Sequence, residues 1–491
     1  MGLAIAAPTF SQASSPTESV AESAKPPLQE LRADSKHVAK IAGQRLDYTA
    51  ITGTLTLSND AGKPTASMFY VAYLLEPRSA RRPLTFFYNG GPGSSTMWLH
   101  MSSFGPRRVV LEAPDPSTNP PHQIVDNDDS LLAKSDLVFL DAINTGYSRP
   151  LGDATAVSFL AADPDIDSFA RGIERFLSLQ GRWNSPKFLF GESYGTSRSA
   201  GLVDRLQKDG AQMNGLIQLG CILDMSRLLT RSDRTYLAEL PTYAMIASYH
   251  DKIPSPSDRS AFIKEVVGWT EGPYARALAA GDDLSLDEKR VIAQQMARYT
   301  GLDAHFILEH DLRVTPDLFR TELLRDRHQV LGELDARFVG DVGEVSATPG
   351  YDPSATGVFR VIIAGWNDYV RTELNFATDL TYRRAYPNAW DLFDYRRANR
   401  KSNDAYYGAD LAEAMTSNPH LLVLWMNGIF DLSTAFYGAE YDFRHLRIPE
   451  SRRSNIQSAY YDSGHMAYID SKARHAMVQE IRRFYDKAAP Q

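Results

Sequence analysis

A single cysteine, Cys221, occurs in 491 residues. That excludes intramolecular disulfides and any thiolate metal cluster. It lies in the apolar run Leu216–Leu223, where a thiol behaves as a small buried hydrophobe and not as a reactive group. Long hydrophobic runs are missing too. The longest, Leu421-Leu422-Val423-Leu424-Trp425-Met426, falls far short of the roughly 20 residues of a membrane span. Basic clusters longer than a few residues are absent and the net charge is -8, so no nucleic-acid partner is expected. No Asn-x-Ser/Thr sequon occurs, which disfavours a glycosylated surface.

What is present is a globular composition, 43% hydrophobic and 23% charged. A chain this long exceeds one ordinary core, so a domain with an insertion or a second domain is expected. Residues 1–35 read as a leader or linker: a short apolar run, Gly2 to Ala7, precedes an Ala/Ser/Pro/Glu-rich stretch that continues to about Pro27. Export to a periplasm or outside the cell is the favoured location, with the cytoplasm as the alternative.

Residues 45–77 alternate as antiparallel strands, Ala50–Leu57 and Ser67–Leu75, around a turn at Asn59-Asp60-Ala61-Gly62. Short continuous apolar runs follow, at Leu84–Tyr88, Leu137–Leu140, Phe188–Phe190, Leu216–Leu219, Leu421–Met426 and Ser458–Tyr461. Helical periodicity separates them, as in Asp165–Leu179 and Lys472–Lys487. Strands covered by helices on both faces read this way, which predicts an α/β doubly wound, mostly parallel sheet. Between Leu223 and about Arg400 the strand rhythm is lost and helical stretches take over. The expected organisation is core over 36–224, an inserted helical cap over 225–400, and core again over 401–491.

Gly191-Glu192-Ser193-Tyr194-Gly195 sits between an apolar run and a helical stretch. Glycines on both sides of the serine allow a turn too sharp for side chains, and the turn lifts the hydroxyl clear of the sheet. An activated serine needs a base, an orienting acid and donors for the oxyanion. In this topology the acid and base follow the serine in chain order, each in a loop past a strand. Asp431 follows Leu421–Met426, and His465 follows Ser458–Tyr461. His475 falls within a helix, and His445 follows no clear strand. Tyr194, the residue after the serine, supplies one oxyanion amide. The second is expected from the loop Asn89-Gly90-Gly91-Pro92-Gly93-Ser94-Ser95.

Taken together, several blocks resemble the serine carboxypeptidase family, and most of all its disulfide-free bacterial branch. They are Phe86 to Ser95, Phe104-Gly105-Pro106, Leu137 to Asp141, Gly146-Tyr147-Ser148, Gly191 to Gly195, Asn427 to Asp431 and Gly464-His465-Met466. The resemblance runs from about residue 65 to the end and implies an α/β-hydrolase that releases C-terminal residues from peptides. It implies Ser193, Asp431 and His465 as a triad, and Gly91 and Tyr194 as oxyanion donors. Asn89, Gly90 and Glu192 are implied to read the substrate's terminal carboxylate. Glu192 can do so only as the protonated acid, which predicts better binding at acidic pH. The family pairs that glutamate with a second one, where this chain has Ser103. Glu192 is therefore expected to titrate near an ordinary value of about 4, which weakens the acid preference.

The resemblance calls for no cofactor and no metal, and the partners it implies are peptides with a free C-terminus. Asp163, Asp165, Asp167 and Glu174 mimic a calcium-loop spacing, but the segment reads as a helix and Ser168 replaces the turn glycine. Trp98, Phe104, Tyr147 and Tyr194 are candidates for pocket lining or core. Leu334 to Phe338 reads as a structural ion pair. The rival readings are an esterase or acyltransferase on the same triad, and a non-catalytic binding protein on the same fold.

Overall fold

The computed structural model describes residues 29–111, 113–114, 119–230, 232–343 and 349–490. Most of the stretch read as leader lies outside these residues. Its last part does not: strand β1 (Arg32–Ile41) starts inside the 1–35 segment and pairs antiparallel with β2 (Gln44–Ser58). β1 escapes a hydrophobicity pattern because Arg32, Asp34, Lys36 and Lys40 are charged and exposed, and the one larger apolar residue among them, Val38, is exposed too.

The main sheet continues with β3 (Pro64–Leu75), β4 (Leu84–Tyr88), β5 (Asp136–Leu140), β6 (Lys187–Glu192), β7 (Gly215–Leu219), β8 (Leu422–Gly428) and β9 (Ile456–Tyr461). Their order is β1-β2-β3-β5-β4-β6-β7-β8-β9, with a short strand, Arg149–Pro150, added beside β3. Pairing is antiparallel up to the β3–β5 contact and parallel from β5 through β9. Right-handed crossover helices connect strands of this kind. They include α1 (Ala162–Gln180) before β6 and α2 (Tyr194–Lys208) after it.

Period-two alternation explains why both faces are covered. Phe86, Tyr88 and Leu189 pack with Phe169, Ile173 and Phe176 of α1 and Leu202 and Leu206 of α2. Their strand neighbours Phe87, Phe188 and Phe190 point the other way, into a second core. Truncating any one of these phenylalanines to alanine costs about 3–5 kcal/mol.

Between β7 and β8 the chain forms α3 (Asp233–Tyr249), α4 (Arg259–Trp269), α5 (Leu286–Thr300) and α6 (Pro316–Glu322). These share an apolar cluster with Ile429, Phe430 and Phe436, which lie beyond β8. Helix α7 (Pro353–Thr372) behaves differently. Its Val358, Ile362 and Trp366 join the core on the sheet, to which the terminal helix α8 (Ser471–Ala488) also contributes Met477, Ile481 and Phe484. The stretch expected as one cap thus divides into a helical cluster of its own and a segment that returns to the sheet. Among the described residues, no helix is long and apolar enough to cross a membrane.

Candidate active site

The parallel strands β6, β7, β8 and β9 lie side by side, and Ser193, Asp431 and His465 follow the carboxyl ends of β6, β8 and β9. Ser193 adopts φ 60° and ψ -133°, the strained turn expected of an elbow. Its N–H donates to Leu219 O at 2.9 Å, which ties the turn to the end of β7. Tyr194 opens α2, so its amide has no acceptor within the helix, and the positive end of the helix dipole faces the same point.

Asp431 is fully buried and accepts four hydrogen bonds. The amides of Ser433 and Thr434 donate at 2.8 and 2.9 Å and the Thr434 hydroxyl at 2.8 Å. The fourth partner is His465, whose Nδ1 lies 2.7 Å from Asp431 Oδ2. An aspartate with backbone amides two and three residues on is an Asx turn, so Asp431-Leu432-Ser433-Thr434 carried a signal for Thr434 that went unused. Burial pulls the His465 ring toward the neutral form. The charge and hydrogen bond of Asp431, helped by Glu192 and Glu333, outweigh it and bring the pKa up to about 9.

Gly220 follows β7 at φ 58°, and a methyl group built on it would stand 2.8 Å from His465 Cε1 and 2.9 Å from Nδ1. The imidazole therefore packs flat on bare backbone. Only a residue without a side chain leaves it room.

A cavity of about 440 Å³ opens onto Ser193, Tyr194, Gly91 and Thr434. Gly90 is pressed onto the elbow: its own Cβ would lie 2.5 Å from the amides of Tyr194 and Gly195. The loop is anchored by Thr96, whose N–H donates to Asp141 at 2.7 Å, and by Arg198, which donates to Asn89 O at 2.7 Å.

Asn89 and Glu192 do not line this cavity. Asn89 Nδ2 donates to Glu192 at 2.8 Å, and its oxygen accepts from Leu99 N at 3.1 Å. Tyr468 OH also donates to Glu192, at 2.9 and 3.1 Å. Ser103 is buried and turns away, donating to Leu99 O. The expectation that Glu192 titrates near 4 is overturned. Burial pushes its carboxyl up to about 7, against the pull of the His465 charge and of the two donors. A second carboxylate is not needed for that shift, because desolvation alone is the dominant cause.

Of the remaining candidates, Tyr194 lines the cavity, whereas Trp98, Phe104 and Tyr147 pack in the sheet's second core. Asp163, Asp165 and Asp167 lie on α1 and pair with Arg397, Arg198 and Arg171. Cys221 is buried, and its thiol is pushed far up by desolvation. Arg337 pairs with Asp335 at 2.7 Å, as expected. It also reaches the His465 loop, donating to Asp462 O at 2.7 Å and Ser463 Oγ at 3.0 Å.

A nucleophile elbow on a mostly parallel sheet of this order defines an α/β-hydrolase, and the chain is a serine hydrolase. Over residues 42–223 it matches the serine carboxypeptidase family model, so the likeness carried by its motifs holds there. No curated protein matches the sequence. A prohormone-processing carboxypeptidase from Saccharomyces cerevisiae is similar in structure, with TM-score 0.55 at 14% identity, covering 89% of this chain and 91% of its own. At that identity the likeness speaks for the fold. A proline iminopeptidase from Mycobacterium smegmatis is also similar, with TM-score 0.39 at 14% identity, covering 89% of this chain and 98% of its own.

Proposed function

We propose that the protein is a serine-type carboxypeptidase that cleaves peptides through an acyl-enzyme on Ser193. The observation that carries this reading is the 2.7 Å bond between Asp431 and His465, made beside an elbow serine that opens on a cavity. In the mechanism, neutral His465 takes the Ser193 proton as the hydroxyl attacks the scissile carbonyl. Asp431 fixes the ring with Nδ1–H toward itself and stabilises the imidazolium. The amides of Gly91 and Tyr194 donate to the oxyanion. His465 then protonates the leaving amine, and water repeats the sequence to release the acyl group. Recognition of a free carboxylate would fall to Asn89, Gly90 and protonated Glu192.

One observation favours the rival esterase or acyltransferase reading. Asn89 and Glu192 spend their hydrogen bonds on each other, on Leu99 and on Tyr468, and neither lines the cavity. A time course by mass on one unblocked peptide and its C-terminal amide separates the two. Stepwise loss of residues from the free acid alone supports the carboxypeptidase. Equal cleavage of both, or fast turnover of blocked esters only, rejects it.

A further inference from the structure

Glu239 lies at mid-length of α3, on the face that also presents Thr235 and Tyr236 to the Ser193 cavity. It is fully buried, and neither carboxyl oxygen has a hydrogen-bond partner. Buried carboxyls are normally paired, and an orphan costs several kcal/mol. Arg227 is the basic group that acts on it, but the two form no ion pair, and all three nitrogens of that guanidinium lack partners as well. Among the described residues, the cavity lining holds three carboxylates, Glu239, Asp317 and Glu333, and no Lys, Arg or His. Asp317 and Glu333 are answered from outside the cavity by Arg320, at 3.4 and 3.1 Å. Glu239 is left as the unanswered one. Apolar walls from Ile222, Met225 and Leu432 complete the cavity. An aliphatic wall ending in a lone carboxyl matches a side chain with an apolar stem and a charged tip.

The geometry points to Glu239 as the residue that receives a lysine or arginine side chain of a substrate seated against Ser193. This deepens the peptide reading above and rests on it. Burial, with the nearby Asp431 and Glu333, holds the Glu239 carboxyl up at about 8, although Arg227 lowers it. An arriving cation supplies the missing counter-charge and releases that proton.

The test compares unblocked peptides that differ in one residue, lysine or norleucine, placed on either side of the scissile bond. In the wild type, lysine should be preferred about 100-fold at one of the two positions. In Glu239→Gln the lysine-to-norleucine preference should fall to about 3-fold or less. Equal wild-type rates for lysine and norleucine at both positions overturn the proposal. So does a lysine preference that survives in the variant. If no peptide is cleaved, the peptide reading has failed and thermal melting decides the site. Lysinamide, but not norleucinamide, should then raise the wild-type melting temperature, and Glu239→Gln should abolish the rise. Equal behaviour of the two amides, or a rise that persists in the variant, overturns the proposal.

Discussion

Replacing Glu192 by glutamine tests the electrostatics of the site more sharply than removing the nucleophile does. Glu192 titrates at about 7 and His465 at about 9, and each charge favours the other. Between those values the pair holds one proton, shared between a carboxylate with an imidazolium and a carboxylic acid with a neutral ring. General-base action needs the neutral ring, and reading a substrate carboxylate needs the protonated acid. Both conditions hold only in the one-proton state. For peptides with a free C-terminus, kcat/KM of the wild type should therefore rise through about pH 7 and fall through about pH 9. Glutamine keeps a donor but carries no charge. A negative neighbour stabilises the imidazolium, so its loss lowers the His465 pKa, by about one unit for an opposite charge at this range. The variant should show a single ascending limb with a midpoint below 9 and no descending limb, and it should outpace the wild type in alkali. The assay is kcat/KM from pH 5 to 10.5 (about one and a half units beyond the ordinary and shifted His values) on one peptide and one blocked ester. An ascending midpoint that stays at about 9 in the variant refutes the coupling of Glu192 to His465. A descending limb that survives in the variant refutes the carboxylate-reading role and leaves the base intact.

Gly220→Ala places a methyl 2.8 Å from the His465 ring in a left-handed backbone, so the imidazole must shift by several tenths of an ångström. That should lower kcat/KM about 100-fold for about 1–2 kcal/mol of stability, and a wild-type rate in a folded variant would show the packing to be irrelevant. Ser193→Ala and His465→Ala should each lose about four orders of magnitude or more in turnover, with melting unchanged in Ser193→Ala. A fluorophosphonate should label the wild type but not Ser193→Ala, and labelling of that variant would place the nucleophile elsewhere. Arg198→Leu leaves Asp165 buried without its 2.7 Å partner and frees the Asn89 carbonyl. Urea denaturation should report a loss of about 3–5 kcal/mol, and a loss below about 1 kcal/mol would contradict the pairing.

The parts of the site legible in the sequence are those written in neighbouring residues. Gly191 to Gly195 encodes its own turn, and the apolar runs before Ser193 and Asp431 encode buried parallel strands, whereas the run before His465 forms a half-exposed edge strand. Strand ends overhang by one or two residues, as at Leu422–Gly428 against the expected Leu421–Met426. Residues that matter through another part of the chain stayed hidden. Tyr468 meets Glu192 across 276 positions, and Gly220 matters only because a ring from residue 465 lies on it. Glu239 reads as one more polar residue on a helix until the fold buries it. The Glu192 expectation failed for a related reason: Ser103 suggested a lost partner, but the shift comes from burial, which no local motif records.

The insertion does more than cover the cavity. The segment from Glu333 to Arg337 bonds both loops that carry Asp431 and His465. Glu333 O accepts from Leu432 N at 3.1 Å, and Ala336 N donates to Phe430 O at 3.0 Å, on either side of Asp431. Leu334 O accepts from His465 N at 2.5 Å, and Asp335 accepts from Gly464 N at 3.1 Å. The parallel strands β8 and β9 bring the two loops alongside each other, but their register ends at Gly428 and Tyr461. Beyond that register, the insertion's backbone fixes where Asp431 and His465 stand. Arg337 makes this clamp rigid, because its buried guanidinium is satisfied only when Asp335, Asp470, Asp462 O and Ser463 Oγ all stay in place. If the proposed roles hold, selectivity and acid–base geometry come from different segments of one insertion, α3 for the first and residues 333–337 for the second. A change at Glu239 would then alter which side chain enters, while the 2.7 Å bond between Asp431 and His465 is held from elsewhere.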